Sequence, residues 1–257
     1  MRRRLLVVPT YNEADKIGRI KNYASKLGQN VRDLDLLFVD GGSLDGTAEK
    51  LSRLGFKVFR PESGRWWKGE SIKKGWDYGL KNGYEYLGYV DGDFPVKPDD
   101  IALVYYVLEK FPDAVIIGSR YLGLSNSMRK PYRLFFSKIF HLMANTFYGV
   151  NINDFQCGLK ALKAEVWKEI TYQVSEKHWG FDQELILLAA SKGYKIIEVP
   201  VSWVEMEKAP RLGWLIRTVA GHLKTIGKLS LTVRRKVPRD FRRHGVFVWE
   251  GKRPKRV

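Results

Sequence analysis

Cysteine, long apolar runs and acidic residues are all scarce in this chain. Cys157 is the only cysteine among 257 residues, so no disulfide can form within the chain and a reducing compartment is favoured. No uninterrupted apolar run is long enough to span a bilayer, and residues 1–4 lead directly into an apolar strand without the pattern of a signal peptide. We therefore expect a cytoplasmic protein that, if it works at a membrane, lies peripherally on the cytoplasmic face.

Basic residues are abundant by comparison. The chain has 45 Lys and Arg against 28 Asp and Glu, a net charge of +17. Such an excess predicts a polyanionic partner, which is a nucleic acid, an anionic membrane surface or a phosphorylated substrate. The clustering of basic residues near the C-terminus argues against charge spread evenly for solubility. With 44% hydrophobic residues the chain can bury a sizeable core.

Strand-type and helix-type segments alternate along the chain. Strands are predicted at 4–9, 34–40, 56–59, 86–90, 114–118 and, as the last one, 194–203, with helices between them at 15–27, 47–54, 70–81, 98–110, 132–148 and 181–191. This alternation predicts an α/β fold, a mostly parallel sheet with helices on both faces. We divide the chain into a domain of residues 1–210 and a basic amphipathic helix and tail of residues 211–257.

The stretch Tyr86–Asp93 is the centre of the functional prediction. Its apolar strand ends in Asp91-Gly92-Asp93, and ligands of α/β proteins bind outside the carboxyl ends of the strands. Two carboxylates separated by one glycine suit Mg²⁺ or Mn²⁺, and Gly92 leaves room for a diphosphate to approach the backbone. Asp-Gly is also a common turn, and the tripeptide alone favours that plainer interpretation.

For two of the predicted helices, the sequence does not decide what their apolar faces pack against. The apolar stripe of 132–148 fits either core packing, which we favour, or a lipid-facing groove; it consists of Leu134, Phe135, Ile139, Leu142, Met143 and Phe147. A helix at 212–235 carries an apolar stripe and a basic one, so it either lies in an anionic headgroup layer or packs on the domain. The basic tail at 236–257 is either partly disordered or folded back.

Several motifs together resemble a known family. They are Val8–Glu13, Val39–Thr47, Val90–Asp93, Gly118–Tyr121, Asp154–Lys160, Trp179–Glu184 and Glu198–Trp203. With order and spacing kept from about residue 5 to residue 203, the chain resembles family-2 glycosyltransferases of the GT-A fold. Within that family it is most similar to the polyprenyl-phosphate (dolichyl-phosphate) glucose and mannose synthases.

The resemblance implies a site for a nucleotide-diphosphate sugar, UDP-glucose or GDP-mannose. Pro9, Tyr11 and Glu13 would border the base and ribose, and Asp40 would hydrogen-bond the base. The same resemblance assigns Gly41, Lys68, Asp91 and Gly92 to the nucleotide sugar. Asp91 would face the ribose and the metal, and Asp93 would ligate the Mg²⁺ or Mn²⁺.

The resemblance also implies an acceptor site. Arg120 and Arg133, with Ser137, would hold the phosphate of a polyprenyl phosphate, with Arg129 as the alternative to Arg133, and Arg120 would act in catalysis. Asp182 would be a catalytic base only if the acceptor were a sugar hydroxyl. The chain departs from the mannose synthases at Pro95, where those enzymes carry a glutamine that ligates the metal.

These expectations favour a metal-dependent, inverting hexosyltransferase. A second interpretation keeps the fold and replaces the acceptor by a sugar hydroxyl of a glycan or cell-wall polymer. A third, a basic nucleic-acid-binding protein, is disfavoured because no RNA- or DNA-binding signature is present. We therefore expect an anionic membrane surface, and no nucleic acid, as the partner of the basic C-terminal segment.

Overall fold

The computed structural model describes residues 3–128, 131–204, 212–251 and 254–256, without the side chains of residues 127–136, 212–218, 243, 244 and 256. The strands are β1 Arg4–Thr10, β2 Leu34–Asp40, β3 Lys57–Phe59, β4 Tyr86–Val90, β5 Ala114–Ser119, β6 Asn126–Met128, β7 Leu159–Lys163, β8 Lys195–Pro200, β9 Ser202–Val204, β10 Val246–Trp249 and β11 Pro254–Arg256. The helices are α1 Ile17–Asn30, α2 Thr47–Arg53, α3 Lys68–Lys81, α4 Pro98–Lys110, α5 Pro131–Tyr148, α6 Ala164–Ile170, α7 Phe181–Ser191, α8 Leu212–Thr232 and α9 Arg239–His244.

One mixed sheet organises the molecule. Its strand order is β11-β10-β8-β5-β7-β4-β1-β2-β3. The pairs β1–β2, β1–β4, β2–β3, β5–β8 and β8–β10 are parallel, whereas β7 runs antiparallel between β4 and β5. Strands β6 and β9 pair separately. The predicted α/β class with a mostly parallel sheet is confirmed.

Hydrophobic cores cover both faces of the sheet, as a parallel sheet requires. Within β1, Leu5 and Val7 point into one core while Leu6 and Val8 point into the other, and all four are essentially fully buried. Helices α3, α6, α7 and α8 contribute to the first core, and α1, α2 and α4 contribute to the second. Side chains are therefore buried on both sides of β1, and its polar loops emerge only at the strand ends.

The C-terminal end of the sheet differs from the sequence prediction. The predicted last strand at 194–203 is divided at Val201 into β8 and β9, which belong to different sheets. It is not the last strand, because Val246–Trp249 adds to the open edge of β8 in parallel register. The end of the chain thus folds back onto the sheet, the second of the two alternatives left open for the tail.

The segment after residue 204 contains the predicted long helix, α8. The boundary drawn at residues 210 and 211 lies outside the described residues, so the proposed division of the chain stays a prediction. Helix α8 packs through Ile226, Leu229 and Val233 on the first core. On the part of the chain that the structure describes, no helix is long and apolar enough to cross a bilayer.

Helix α5 corrects an expectation. We expected its apolar stripe to pack in the core, but Ile139, Leu142 and Phe147 are exposed. Of the predicted stripe, Met143 is partly buried and packs against the first core, and the buried face is formed by His141, Ala144 and Tyr148. The side chains of Leu134 and Phe135 lie outside the described part of the helix. An amphipathic pattern alone could not show which face of this helix meets the sheet.

Candidate active site

The paired carboxylates follow β4 at the carboxyl end of the sheet, where two close backbone contacts hold them. The Asp91 N–H donates to the Gly158 carbonyl at 2.9 Å, and a Cβ on Gly158 would lie 2.0 Å from Asp91 Oδ2. A Cβ on Gly92 would lie 2.4 Å from the Pro9 carbonyl oxygen. Both glycines are therefore required by packing, a reason that holds whether or not a diphosphate also approaches Gly92.

A tight turn fixes Asp93 next to Asp91. The N–H of Phe94 donates to the Asp91 carbonyl at 2.9 Å, and Phe94 has a φ of 48°, the left-handed region that a bulky residue rarely adopts. The Phe94 ring stacks on Tyr23 with centroids 4.2 Å apart, and Arg19 donates to the Asp93 carbonyl. Such backbone conformations cost about 1–3 kcal/mol and persist where the surroundings fix them.

A chain of alternating charges extends from Asp91 into the interior. Lys68, at the start of α3, lies 2.8 Å from Asp91 Oδ1 and 3.6 Å from Asp182 Oδ2. Asp182, at the start of α7, is bound by Lys160 Nζ at 2.7 Å and accepts a hydrogen bond from Tyr89. Lys160 is fully buried on β7. Three of the predicted site residues, Asp91, Lys68 and Asp182, are thus brought into contact.

The charges in this chain stabilise one another against burial. Burial alone would favour neutral Asp182, but Lys160 and Lys68 outweigh it and lower the pKa of this carboxyl. Burial likewise opposes the charge of Lys68, and Asp91 and Asp182 outweigh it and raise the pKa of the ammonium. Asp182 is therefore an anion held between two cations, which makes it a weak proton acceptor.

Arg120, at the end of β5, is held by a second buried acid. Its Nε and Nη2 donate to the two oxygens of Asp154 at 2.7 and 2.9 Å, and its backbone N–H donates to Oδ2 at 3.1 Å. Asp154 is fully buried; burial opposes its charge, but Arg120 outweighs burial and lowers the pKa of Asp154. The guanidinium also lies over Trp203 at 4.7 Å. Two of its three nitrogens are thus already engaged, which leaves Nη1 for a ligand.

Glu198 on β8 binds the loop that carries Asp154. Its carboxylate accepts hydrogen bonds from the Asn153 N–H at 2.9 Å, the Asn153 amide at 2.8 Å and the Asp154 N–H at 3.0 Å. Burial raises the pKa of Glu198 to about 7. The loop that carries Asp154 is therefore anchored to the adjacent strand by three bonds to one side chain.

Asp40, which was expected to bind a base, instead accepts hydrogen bonds from its own loop after β2. Asp40 is fully buried, and its carboxylate accepts from the Ser43 N–H at 2.9 Å, the Gly42 N–H at 3.2 Å and the Ser43 hydroxyl. In this conformation the side chain orders its own loop, so its predicted bond to a base would require the loop to rearrange. Gly41 is needed because a Cβ there would lie 2.7 Å from the Trp66 carbonyl oxygen.

Aromatic and basic side chains cover the loop after β1. The guanidinium of Arg65 lies over the rings of Tyr11 and Trp67, 3.8 and 4.2 Å from their centroids, and the Trp67 ring in turn packs against His178 with centroids 3.9 Å apart and the rings tilted by 36°. Glu13 pairs with Lys16 at 2.5 Å. Tyr11 and Glu13 thus lie at the carboxyl end of β1, but one face of the Tyr11 ring is already occupied.

The predicted acceptor residues on α5 are only partly described. Ser137 is partly buried, and the side chain of Arg133 lies outside the described residues. Helix α8 approaches the same region through His222, whose ring lies 3.1 Å from the Gln156 amide. Gln156 in turn donates its backbone N–H to Asp154 at 3.2 Å. One side of the site is therefore closed by α8.

A comparison with protein families decides the class. The model for glycosyl transferase family 2 matches residues 5–171, more than half of the chain. The chain belongs to glycosyl transferase family 2. The polyprenol monophosphomannose synthase of Mycolicibacterium smegmatis is 28% identical over 212 residues, which cover 80% of this chain and 78% of that protein. A dolichyl-phosphate beta-glucosyltransferase of Trichomonas vaginalis is 28% identical over 219 residues, covering 78% of this chain and 63% of the other.

Solved structures agree on the fold of this family-2 glycosyltransferase. Glucosyl-3-phosphoglycerate synthase from Mycobacterium tuberculosis, crystallised with Mn²⁺, uridine diphosphate and glucosyl-3-phosphoglycerate, superimposes with a TM-score of 0.66 at 17% identity, covering 100% of this chain and 86% of that one. The predicted family, GT-A fold and glycosyltransferase class are confirmed.

Among the described residues, no group of three or more His, Cys, Asp or Glu side chains is placed to hold a metal ion.

Sequence reasoning did not identify several residues that the structure brings to the candidate site. Lys160, Asp154, Glu198 and His222 received no role, although the first three lie in the motifs that carry the family resemblance. A signal was present for Lys160, because a lysine within the apolar run Leu159–Leu162 must either leave the sheet or find a buried acid. The partner of each group is far along the chain, so the contacts themselves could not be predicted.

His222 makes the stability of this glycosyltransferase depend on pH. Burial lowers the pKa of His222 to about 4, whereas unfolding restores a value near 6.5. Between these values the unfolded chain binds more protons, so the unfolding free energy falls as pH falls, by up to about 3 kcal/mol for this group. Urea unfolding at pH 7 and pH 4.5 should show His222→Asn losing less stability on acidification than the wild type. An equal loss of stability on acidification in the wild type and in His222→Asn would contradict the assignment.

Proposed function

We propose that this chain transfers glucose or mannose from a nucleotide-diphosphate sugar to a polyprenyl phosphate, with inversion at the anomeric carbon. The observation that carries the proposal is the meeting of Asp91 and Asp93 with Lys68 and Arg120 at one end of the sheet. Carboxylates suited to a divalent cation and cations suited to phosphates are gathered there. The named relatives transfer mannose or glucose to polyprenol or dolichyl phosphates.

The residues at the end of β4 fit Mg²⁺ or Mn²⁺. Asp91 and Asp93 supply hard oxygen ligands, and Mg²⁺ commonly uses one or two carboxylates and takes its remaining ligands from water and substrate phosphates. This suits a site where Pro95 can supply no ligand. When bound, the metal would neutralise the charge that develops on the departing nucleoside diphosphate. Lys68, held between Asp91 and Asp182, adds a fixed positive charge beside the same group.

The acceptor side needs orientation more than deprotonation. A phosphate monoester has a second pKa near 6 and is largely dianionic at neutral pH, so it can attack the anomeric carbon directly. Arg120 is fixed by Asp154 with Nη1 uncommitted among the described residues. We assign it, with Arg133 and Ser137, to the acceptor phosphate. Its rigid anchoring would favour attack by the phosphate oxygen from the side opposite the leaving diphosphate, the geometry that inversion requires.

A mass-spectrometric transfer assay tests the proposal. The protein is incubated with Mg²⁺ or Mn²⁺, several nucleotide sugars and a short polyprenyl phosphate, with the matching polyprenyl alcohol as the acceptor control. We expect a glycosyl phosphate product with UDP-glucose or GDP-mannose and none with the alcohol. Transfer to a sugar oligomer but not to the polyprenyl phosphate would replace the proposal by the second candidate, a glycan-directed transferase.

The variant Asp182→Asn separates the two acceptors further. A sugar hydroxyl needs a base, for which Asp182 is the candidate carboxylate, whereas a phosphate dianion needs none. We expect the variant to retain polyprenyl phosphate turnover within about tenfold, and to lose about 1–3 kcal/mol of stability because buried Lys160 loses its counterion. Turnover is measured well below the melting temperature, with Asp113→Asn as an exposed control. Loss of turnover in a folded variant that still binds nucleotide would favour the hydroxyl acceptor.

The proposal includes an anionic membrane surface as the place of work. Polyprenyl phosphates reside in bilayers, and α5 and α8 expose apolar side chains beside cations. A protein whose described helices do not span a membrane can reach such a substrate from the surface. We keep the cytoplasmic face as part of this proposal, supported by the single cysteine.

A further inference from the structure

Five basic side chains line one open cavity at the C-terminal end of α8. The cavity has a volume of about 430 Å³ and lies where α8 passes through a short 3-10 turn into α9. Its basic lining is Arg234, Arg235, Lys236, Arg239 and Arg242. The only acid in the range 234–242 is Asp240. This is a dense positive charge on a surface that the proposed transfer reaction does not use.

These cations lack the counterions that the fold gives to other basic groups. Lys68, Lys160 and Arg120 all pair with acids. Among the described residues, by contrast, none of the five cavity side chains makes an ion pair or a hydrogen bond, and Arg234 Nε is buried without a partner. Like charges gathered in this way repel one another, so an anion bound among them would be stabilising.

The cavity adjoins an exposed apolar surface. Arg234 and Arg242 pack against Gly149, the residue that follows α5, within 3.6 Å of where its Cβ would lie. Helices α5 and α8 lie side by side. The exposed apolar side chains on the two helices are Ile139, Leu142, Phe147, Val219, Leu223 and Leu231. Apolar side chains beside clustered cations are the composition of a surface that meets anionic headgroups.

The cavity is separate from the proposed acceptor site. His222, which borders that site through Gln156, and Thr232, which precedes the cavity, are ten residues apart on α8, or about 15 Å along a helix. One phosphate cannot contact both places. The bilayer that presents the acceptor could, however, meet both, because α8 connects them.

We propose that this cavity binds the phosphate headgroup of an anionic phospholipid and docks the α5–α8 face on a bilayer. Arginine forks bind phosphate oxygens through paired hydrogen bonds, and four of the five side chains are arginines. A lipid is favoured over free phosphate because its acyl chains would lie against the apolar side chains beside the cavity. The inference rests on the proposed function only in that the bilayer also carries the acceptor.

Vesicle sedimentation of the whole chain tests this site. Arg235→Glu/Arg239→Glu changes two exposed cavity residues, and Lys21→Glu/Lys26→Glu makes the same change of charge on α1, which packs on the opposite face of the sheet. With phosphatidylcholine vesicles containing phosphatidylglycerol, we expect wild type and the α1 variant to bind within about twofold of each other. The cavity variant should bind at least about tenfold more weakly, because two cations facing the anionic headgroups are replaced by anions.

Other outcomes would overturn the assignment in distinguishable ways. Equal loss in both variants would mean that net charge alone drives binding, and equal binding to pure phosphatidylcholine would exclude a headgroup site. Thermal stabilisation by inorganic phosphate without vesicle binding would assign the cavity to a soluble phosphate. An RNA oligonucleotide that binds more tightly than vesicles, and is lost in the cavity variant, would assign it to nucleic acid. Transfer to a short polyprenyl phosphate in detergent-free solution should be unchanged in both variants. If the wild type itself showed no such transfer, that result would contradict the proposed function and not the lipid site.

Discussion

Asp93→Ala is expected to lower hexose transfer by roughly 10²–10³-fold, the cost typical of removing one group that stabilises charge in a transition state. The side chain follows the end of β4 and would ligate the cation that neutralises the leaving diphosphate. The turn that positions it should survive, because Arg19 binds the Asp93 backbone carbonyl and the Phe94 N–H bonds the Asp91 carbonyl. We therefore expect little change in the free energy of unfolding.

Metal binding gives this prediction a readout apart from turnover. Titration calorimetry of Mn²⁺ in the presence of uridine or guanosine diphosphate should show at least about a tenfold weaker affinity for the variant. Asp15→Ala is the matched control, since it removes the same charge from an exposed position in the neighbouring loop. Wild-type turnover or unchanged Mn²⁺ affinity in Asp93→Ala would remove the metal role from this residue. An equal fall in both variants would attribute the effect to overall charge.

The part of the fold that sequence patterns could predict is the part governed by local periodicity. Strands β1, β2 and β4 are apolar runs buried on both faces, and polar loops follow each of them, so their carboxyl ends could be expected to form one edge. The antiparallel insertion of β7 between β4 and β5 leaves no such local signal. Nor does the pairing of Val246–Trp249 with β8, because a four-residue strand at the end of a basic segment is stabilised mainly by the sheet it joins.

The same distinction between local patterns and long-range contacts explains which features of the candidate site could be predicted. Asp91, Lys68 and Asp182 could be predicted from motifs because each lies where a strand ends or a helix begins. Their charge balance could not be predicted, since it depends on Lys160, whose ammonium is directed into the interior by the pleat of β7. Asp40 shows the reverse case, in which a motif residue was predicted to bind a base but its two oxygens accept from the N–H groups of Gly42 and Ser43 and from the Ser43 hydroxyl in its own loop.

Arg120→Met is expected to reduce both stability and transfer, and a second substitution separates the two effects. The variant leaves the fully buried Asp154 without its bidentate partner, a change that typically costs about 3–5 kcal/mol. Asp154→Asn in the same chain removes the uncompensated charge. Its single amide oxygen can accept from only one of the two N–H groups, at position 120 and at Gln156, that bind different carboxylate oxygens of Asp154. The double variant should therefore recover part of the lost stability in chemical unfolding.

Transfer should not recover with stability if Arg120 holds the acceptor phosphate. We expect the double variant Arg120→Met/Asp154→Asn to remain at least about a hundredfold slower than wild type, because the charge-assisted hydrogen bond that Nη1 of Arg120 would donate to the acceptor phosphate is lost in the transition state. The effect should appear with polyprenyl phosphate as the varied substrate, whereas the affinity for nucleotide diphosphate should stay near the wild-type value. The single variant Asp154→Asn is the control, since it keeps the guanidinium. If the double variant regained wild-type turnover together with its stability, Arg120 would serve only to fill the space between β5 and the Asp154 loop, and the acceptor phosphate would have to be held by other cations.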